Sequence, residues 1–292
     1  MEPTFAVSGR LRLPQRWTRR GCPPIAVPST ATFKTRHHAT LQIELIGCTG
    51  AGKSTIAQKI AAAGTHLGID VVLDDTFVLR HFRLNWMANS RLRQALVNLL
   101  SIAVFLRHWR ANREFVHFAV TKVVSLQVGW WQKLYLLRIV MKKIGVYDLI
   151  RRHGLREQIV LVDEGTTVIA NNLFVHCHIP LDRQDLERFA QVVPRPDIAL
   201  YVREARPVLV RRTAERGHKR IRNGSQTQVE AFVERAINTF DVVTQHPMFR
   251  PCVLVVETER QHVVPQLDPP TTEIRHALTL VRACFSSSAT SA

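Results

Sequence analysis

The stretch Leu41-Gln-Ile-Glu-Leu-Ile-Gly47-Cys-Thr-Gly-Ala-Gly-Lys53-Ser54-Thr55 decides the fold of this 292-residue chain. Its first six residues are mostly apolar and predict a short buried strand, whereas apolar residues at helical spacing follow Lys53. Between strand and helix lies the pattern GxxxxGK[ST], whose glycines let backbone N–H groups curl around phosphate oxygens. A helix N-terminus also attracts anions, so we interpret the stretch as a phosphate-binding loop.

The residues of this loop have defined expected roles toward ATP. Lys53 is expected to reach the β- and γ-phosphates, and the Ser54 hydroxyl is expected to bind Mg²⁺. A structural glycine turn is the alternative, but the strand–loop–helix context favours nucleotide binding. The predicted nucleotide-binding residues are Gly47, Cys48, Thr49, Gly50, Ala51, Gly52, Lys53, Ser54 and Thr55.

Strand and helix patterns alternate along the rest of the chain, which is typical of a parallel sheet covered on both faces. Residues from about 77 to 154 are predicted to be helical throughout, too long for a simple crossover, so we expect a helical insertion on one side of the sheet. The predicted strands are 41–46, 69–73, 159–162, 197–202 and 252–256, and the other predicted helices are 53–64, ending at Gly64, 181–193, 207–216, 228–246 and 272–284. The fold class is therefore α/β.

The two ends of the chain are expected to be disordered tails around a folded domain at 41–284. Residues 1–40 hold seven Lys/Arg, one acidic residue and several prolines, and they have no apolar periodicity. A transit peptide and a start codon placed too early are the alternatives. Residues 285–292 form the second predicted tail.

Two pairs of acids follow predicted strands. Asp163-Glu164 ends the third strand, where a carboxylate fits the second Mg²⁺-organising position, with a helix N-cap as the alternative. Asp74-Asp75 ends the second strand, and ligands of open α/β sheets bind at such carboxyl ends. One of this pair is a candidate base toward an acceptor hydroxyl, with Asp75 named as the catalytic candidate, although adjacent acids are also ordinary turn residues. Either Asp163 or Glu164 could instead be that base.

A basic run at 211–222 follows a short predicted helix. Arg212 and Arg216 lie four residues apart and share a helix face. Mobile arginines near phosphates can stabilise charge on a transferred phosphoryl group, so both are candidate catalytic residues. A solvated helix end that favours cations is the alternative.

These features together resemble the P-loop nucleoside and nucleotide kinases, in particular thymidylate kinase-like proteins. The matching segments are Gly47–Ser54, Asp163-Glu164, Pro196–Val202, and Pro207 through Arg216-Gly217, within residues 41–283. The resemblance implies a P-loop NTPase fold with a five-stranded parallel sheet, ATP and Mg²⁺ as cofactors, and a lid near 212–224. The chain departs from the family on the acceptor side, where Gly165 follows the acids and no Arg-Glu-Pro-Gly segment follows the second strand.

The expected function is transfer of the ATP γ-phosphate to a small acceptor, a nucleoside, nucleotide or sugar, with Arg80 or Arg83 of the insertion holding an anionic substrate. The alternative is an ATP-binding switch or accessory ATPase whose basic helices dock nucleic acid or an anionic membrane. The net charge of +17 suits either partner, since residues 80–153 hold fourteen Lys/Arg and two acids.

Trp130-Trp131, with Lys133, Lys142 and Lys143, could form such a docking surface, but we expect these tryptophans to pack inside a helical bundle while the lysines stay in solvent. The five cysteines lack metal-site or disulfide spacing. No apolar run is long enough to span a bilayer, so a cytoplasmic location is expected. The oligomeric state stays open, a homodimer included.

Overall fold

The computed structural model describes residues 40–154, 158–176, 181–217, 221 and 225–258. The predicted helix at 272–284, both predicted tails except Thr40, and most of the predicted lid after Gly217 lie outside these residues. The strands are β1 (Thr40–Ile46), β2 (Asp70–Leu73), β3 (Gln158–Asp163), β4 (Ile198–Arg203) and β5 (Val253–Glu257). The helices are α1 (Lys53–His66), α2 (Asp74–His81), α3 (Ser90–His108), α4 (Arg113–Ser125), α5 (Trp130–His153), α6 (Ile169–Phe174), α7 (Arg183–Val192), α8 (Arg206–Arg216) and α9 (Gln226–Gln245), with short 3-10 turns at Trp109–Asn112 and Arg250–Cys252.

The five strands form one parallel sheet in the order β2-β3-β1-β4-β5. The central strand β1 pairs with β3 through Leu45 and Asp163, and with β4 through Ile46 and Tyr201. The carboxyl ends of these strands therefore meet at one edge of the sheet, and the phosphate-binding loop leaves β1 at that edge. The predicted fold class, a P-loop α/β fold with a five-stranded parallel sheet and a long helical insertion, is confirmed.

Helix α1 runs past Gly64, where the sequence pattern predicted its end. Gly64 instead allows close packing, because a Cβ built there would lie 2.2 Å from Cγ2 of Val71 on β2. The helix ends at His66, and Gly68 just after it has a left-handed φ of 68°. The Ile69 N–H donates to the Gly64 carbonyl and the Gly68 N–H to the Thr65 carbonyl, at 2.9 and 3.2 Å, the bonding of a Schellman motif.

The predicted insertion consists of α2 to α5, and α5 runs antiparallel to the strands. Lys143 of α5 contacts Glu164 just past the carboxyl end of β3, whereas Arg151 donates to Asp197 before the start of β4, at 2.8 Å. Helices α3 and α5 touch at Gly145, where a Cβ would lie 1.8 Å from the Ser101 carbonyl oxygen. Among the described helices, none combines the length and the apolar character needed to cross a membrane.

Candidate active site

The loop predicted to bind phosphate, residues 47–52, connects β1 directly to the N-terminus of α1. Gly47 has a φ of 139°, and a Cβ there would lie 2.5 Å from the Val202 carbonyl oxygen, so only glycine lets the loop pass β4. Gly52 caps α1 with a left-handed φ of 93°. These conformations leave the loop curled at the positive end of the α1 dipole, where an anion is favoured.

Lys53 is the first residue of α1, and its side chain folds back over the loop. Its Nζ donates to the carbonyl oxygens of Gly47 and Cys48, at 3.0 and 3.1 Å. Ser54 and Thr55 in the first turn of α1 are exposed, so both hydroxyls are accessible to a ligand. Cys48 is buried, which raises the pKa of its thiol to about 12, so it contributes only its backbone to the loop surface.

Arg212 of α8 lies against the same loop, where it contacts Gly50, a residue 162 positions earlier in the sequence. Its guanidinium donates to the Gly50 carbonyl at 2.8 Å and to the Glu204 carboxylate at 3.1 Å. Glu204 is almost fully covered, with 6% of its side chain exposed, and therefore holds the guanidinium in place. Arg216, one turn later, is exposed on the same helix.

Asp163 ends β3 beside the loop. Its Oδ1 is buried and accepts no hydrogen bond within the described residues. Burial and the neighbouring Glu164 raise the pKa of Asp163, while Lys53 and Lys143 oppose that rise. A buried carboxylate oxygen without a hydrogen-bond donor suits a hard cation such as Mg²⁺.

The structure therefore fits the predicted Mg²⁺ site in part. Asp163 and the exposed Ser54 are available, whereas the Glu164 carboxylate lies 3.9 Å from Lys143 Nζ. Within the ranges described above, no three His, Cys, Asp or Glu side chains are grouped to hold a metal by themselves. Such a sparse protein site is usual for Mg²⁺, which keeps water and substrate phosphates as ligands.

Asp74 and Asp75 begin α2 at the carboxyl end of β2, next to Asp163. The Asp75 Oδ1 lies 3.6 Å from Lys142 Nζ, and its charge contributes to the raised pKa of Asp163. Burial and the adjacent Asp75 raise the pKa of Asp74 to about 7, against the lowering effect of Lys143 and Lys142. The structure thus brings both predicted acid pairs to one edge, beside Lys53.

Lys142 and Lys143 of α5 were expected in solvent, and the structure contradicts this. Their side chains are 17% and 15% exposed, and they contact Asp75 and Glu164 respectively. Lys143 Nζ also donates to the Glu164 carbonyl, and Glu164 itself has a left-handed φ of 65°. The insertion therefore supplies two cations beside the two acid pairs, which the sequence signalled only as a basic pair in a helix.

Glu44 is a further residue that the sequence interpretation passed over. It lies in the middle of β1, is fully buried, and accepts from the Thr167 N–H at 2.8 Å and from the Thr166 hydroxyl at 3.3 Å. A Cβ at Gly165 would lie 2.6 Å from the Glu44 carboxyl carbon. Glu44 therefore ties the turn that follows Asp163 to the central strand, and the only sequence signal was one acid inside an apolar strand.

Replacing Glu44 by glutamine should stabilise the fold at high pH. Burial raises the pKa of Glu44 to about 7 from its ordinary 4.5, although the Thr167 N–H and Lys143 oppose the rise. Neutral Glu44 contributes to the stability of the folded state. This contribution is complete below pH 4.5 and is lost as the pH rises through 7. Glu44→Gln should raise the free energy of unfolding at pH 8 by up to about 3 kcal/mol, with little change at pH 4.5.

Urea denaturation at both pH values measures this difference. Glu187→Gln is the matched control, because Glu187 sits in an exposed i,i+4 pair with Arg183 and its loss should cost less than about 0.5 kcal/mol. An equal effect of Glu44→Gln at pH 4.5 and pH 8 would show that Glu44 is not the titrating group.

The structure contradicts the expectation that arginines of the insertion hold the substrate. Arg80 lies 3.6 Å from Asp70 at the amino end of β2, and the adjacent His81 ring packs on His153 at the end of α5. Arg80, and Arg83 just after it, thus lie at the edge opposite the phosphate loop, and the expectation that they hold substrate is wrong. A cavity of about 770 Å³ between α4 and α7 also contains no residue of the loop or of the acid pairs.

No family model matches the chain, and no curated protein matches it. Solved structures are similar in fold. A thymidylate kinase from Candida albicans is 12% identical, with a TM-score of 0.46 over 84% of this chain and 93% of the other. A thymidylate kinase from Ehrlichia chaffeensis is 12% identical, with a TM-score of 0.40 over 83% and 98%.

A deoxyadenosine kinase from M. mycoides is 14% identical, with a TM-score of 0.41 over 83% of this chain and 100% of the other. These structures include the family that the sequence motifs resemble. At such identities and TM-scores the similarity has no bearing on the activity of this chain, which depends on its own side chains.

Proposed function

We propose that the protein is an ATP-dependent kinase that phosphorylates a small molecule, with Mg²⁺ as the metal. The observation that carries this proposal is the convergence of Lys53, Arg212 and Asp163, from three separate segments, on one phosphate-binding loop. Phosphoryl transfer needs positioning and charge stabilisation more than covalent chemistry, and these groups supply both.

Each group has a role in the proposed transfer. The loop backbone and Lys53 bind the phosphates, Ser54 and Asp163 hold Mg²⁺, and Arg212 stabilises charge on the transferred group. The acceptor oxygen bonds to the γ-phosphorus as the bond to the bridging oxygen breaks, and ADP leaves. Asp75 is the proposed base for the acceptor proton. Three further roles stay predictions: Arg216 as a catalytic residue, Glu164 as a metal ligand, and the lid at 212–224.

The charges of the acceptor side favour an uncharged hydroxyl compound over a phosphate monoester. Within the described residues, four carboxylates meet there, and the two lysines that approach them each contact one. Among the described residues, both of these lysines already face a carboxylate and no arginine pairs with any of the four acids, so a phosphate monoester would find no spare cation to clamp it. A nucleoside or a sugar-like polyol supplies instead a hydroxyl that a carboxylate can orient and deprotonate.

An acceptor panel with ATP and Mg²⁺ tests both levels of this proposal. Nucleosides and sugars should support ADP formation, with kcat/KM at least about tenfold above that of their own monophosphates, a difference of roughly 1.4 kcal/mol. ADP formation with monophosphates alone would refute the hydroxyl acceptor but leave the kinase standing. ADP formation at the same rate without any acceptor would refute the kinase.

A further inference from the structure

The tip of the α4–α5 hairpin, residues 120–138, exposes large apolar side chains. Trp130 and Trp131 are 68% and 82% exposed, and Val124 and Tyr135 are 62% and 49% exposed. The expectation that the tryptophans pack inside a bundle is therefore wrong. The core-facing stripe of α5 is formed instead by Leu136, Val140 and Ile144, which leaves the opposite face of its first turns uncovered.

The charged groups in the sequence of this tip are all basic, and one of them, Lys122, pairs with Asp185 of α7. Lys133 lies between the helices and donates to the Val124 carbonyl at 2.6 Å, and the Arg138 guanidinium stacks 5.2 Å from the Tyr135 ring centre. Between Glu114 and Asp148 the sequence contains no acid. Aromatic and aliphatic side chains flanked by cations, with no anion near them in sequence, match the boundary between acyl chains and anionic headgroups.

The tip also stands on the functional side of the molecule. Lys142, twelve residues after Trp130 on the same helix, contacts Asp75, so Trp130 lies roughly 18 Å along α5 from the acid pairs. Because α5 runs antiparallel to the strands, this distance extends beyond the carboxyl edge of the sheet. A surface that holds the tip would therefore face the candidate active site.

We propose that this hairpin tip docks the protein on an anionic lipid bilayer without spanning it. Trp130, Trp131 and Val124 enter the interface, while Lys133 and Arg138 meet the headgroups. A second copy is a poorer occupant, because a two-fold axis at the tip would bring Lys133 and Arg138 of both chains together. Nucleic acid would leave the aliphatic part of the patch without a partner.

Vesicle flotation with the full chain tests this docking. Binding should be stronger to phosphatidylcholine vesicles with phosphatidylserine than to phosphatidylcholine alone. The double variant Trp130→Ala/Trp131→Ala should bind at least about tenfold more weakly. Lys133→Gln/Arg138→Gln should lose most of the preference for anionic lipid, roughly fivefold for each cation.

Trp109→Ala is the matched control, because Trp109 is 42% exposed but precedes α4, at the end remote from the tip. Its vesicle binding should equal that of the wild type, and circular dichroism checks that all variants are folded. The proposal is overturned if the wild type floats with neither vesicle, or if the double tryptophan variant binds unchanged. It is also overturned if that variant abolishes a concentration-dependent dimer or single-stranded nucleic acid binding while vesicle binding stays the same.

Discussion

Lys53→Ala should lower kcat by about 10³-fold or more, because it removes the one cation of the phosphate-binding loop itself. The ammonium group now lies over the loop, within 3.1 Å of two of its carbonyl oxygens, where the phosphates of ATP are expected. No carboxylate among the described residues forms an ion pair with it that would have to be broken first. The fold should persist, because alanine is a good helix former at the start of α1.

Steady-state kinetics with ATP and a working acceptor measure this loss, and thermal denaturation confirms the folded state. Lys59→Ala is the control, since it removes the same charge from the same helix, about one and a half turns away. If Lys53→Ala kept a third of the wild-type kcat, the assignment of the phosphate-binding loop would be wrong.

Arg212→Ala should lower kcat by roughly 10²–10³-fold with a much smaller change in the KM for ATP. Arg212 is anchored by buried Glu204 and already contacts the loop at Gly50, so it is positioned for charge that develops during transfer. An interaction that strengthens only in the transition state lowers kcat and leaves ground-state binding nearly unchanged.

Arg211→Ala is the matched control for this arginine. Arg211 precedes Arg212 on α8, but its side chain is 69% exposed and faces Glu215. Kinetics should resemble the wild type, because exposed pairs of this kind contribute little. A rise in KM for Arg212→Ala with kcat unchanged would show that Arg212 only binds ATP or braces the loop.

The features that local sequence determines were predicted closely. The apolar run before Gly47 and the spacing after Lys53 predicted β1 and α1. Asp75, Asp163 and Arg212 were named as candidates because acids at strand ends and arginines after a Pro-initiated helix have local signatures, and their roles stay predictions. The P-loop pattern needs no tertiary information, since its glycines, lysine and flanking elements are contiguous.

The contributions of the insertion were not predictable in the same way. Helical periodicity does not specify how α5 crosses the sheet edge. That crossing decides whether Lys142 and Lys143 face solvent or instead contact the acids Asp75 and Glu164. The same limit explains why Trp130 and Trp131 were wrongly expected to be buried. The sequence shows that a helix has an apolar face, but it does not show whether another element covers that face. Glu44 was missed because its partners, Thr166 and Thr167, follow a different strand.

ATP is expected to donate its γ-phosphate to an acceptor at this site. Phosphorus NMR of the wild type with ATP, Mg²⁺ and an accepted hydroxyl compound measures this transfer directly, since ADP, phosphomonoester and inorganic phosphate give separate signals. We expect ADP and the phosphomonoester to appear in equal amounts, with neither formed by Lys53→Ala. Equal amounts of ADP and inorganic phosphate, unaffected by the acceptor and increased by vesicles or nucleic acid, would contradict the kinase and identify an ATPase.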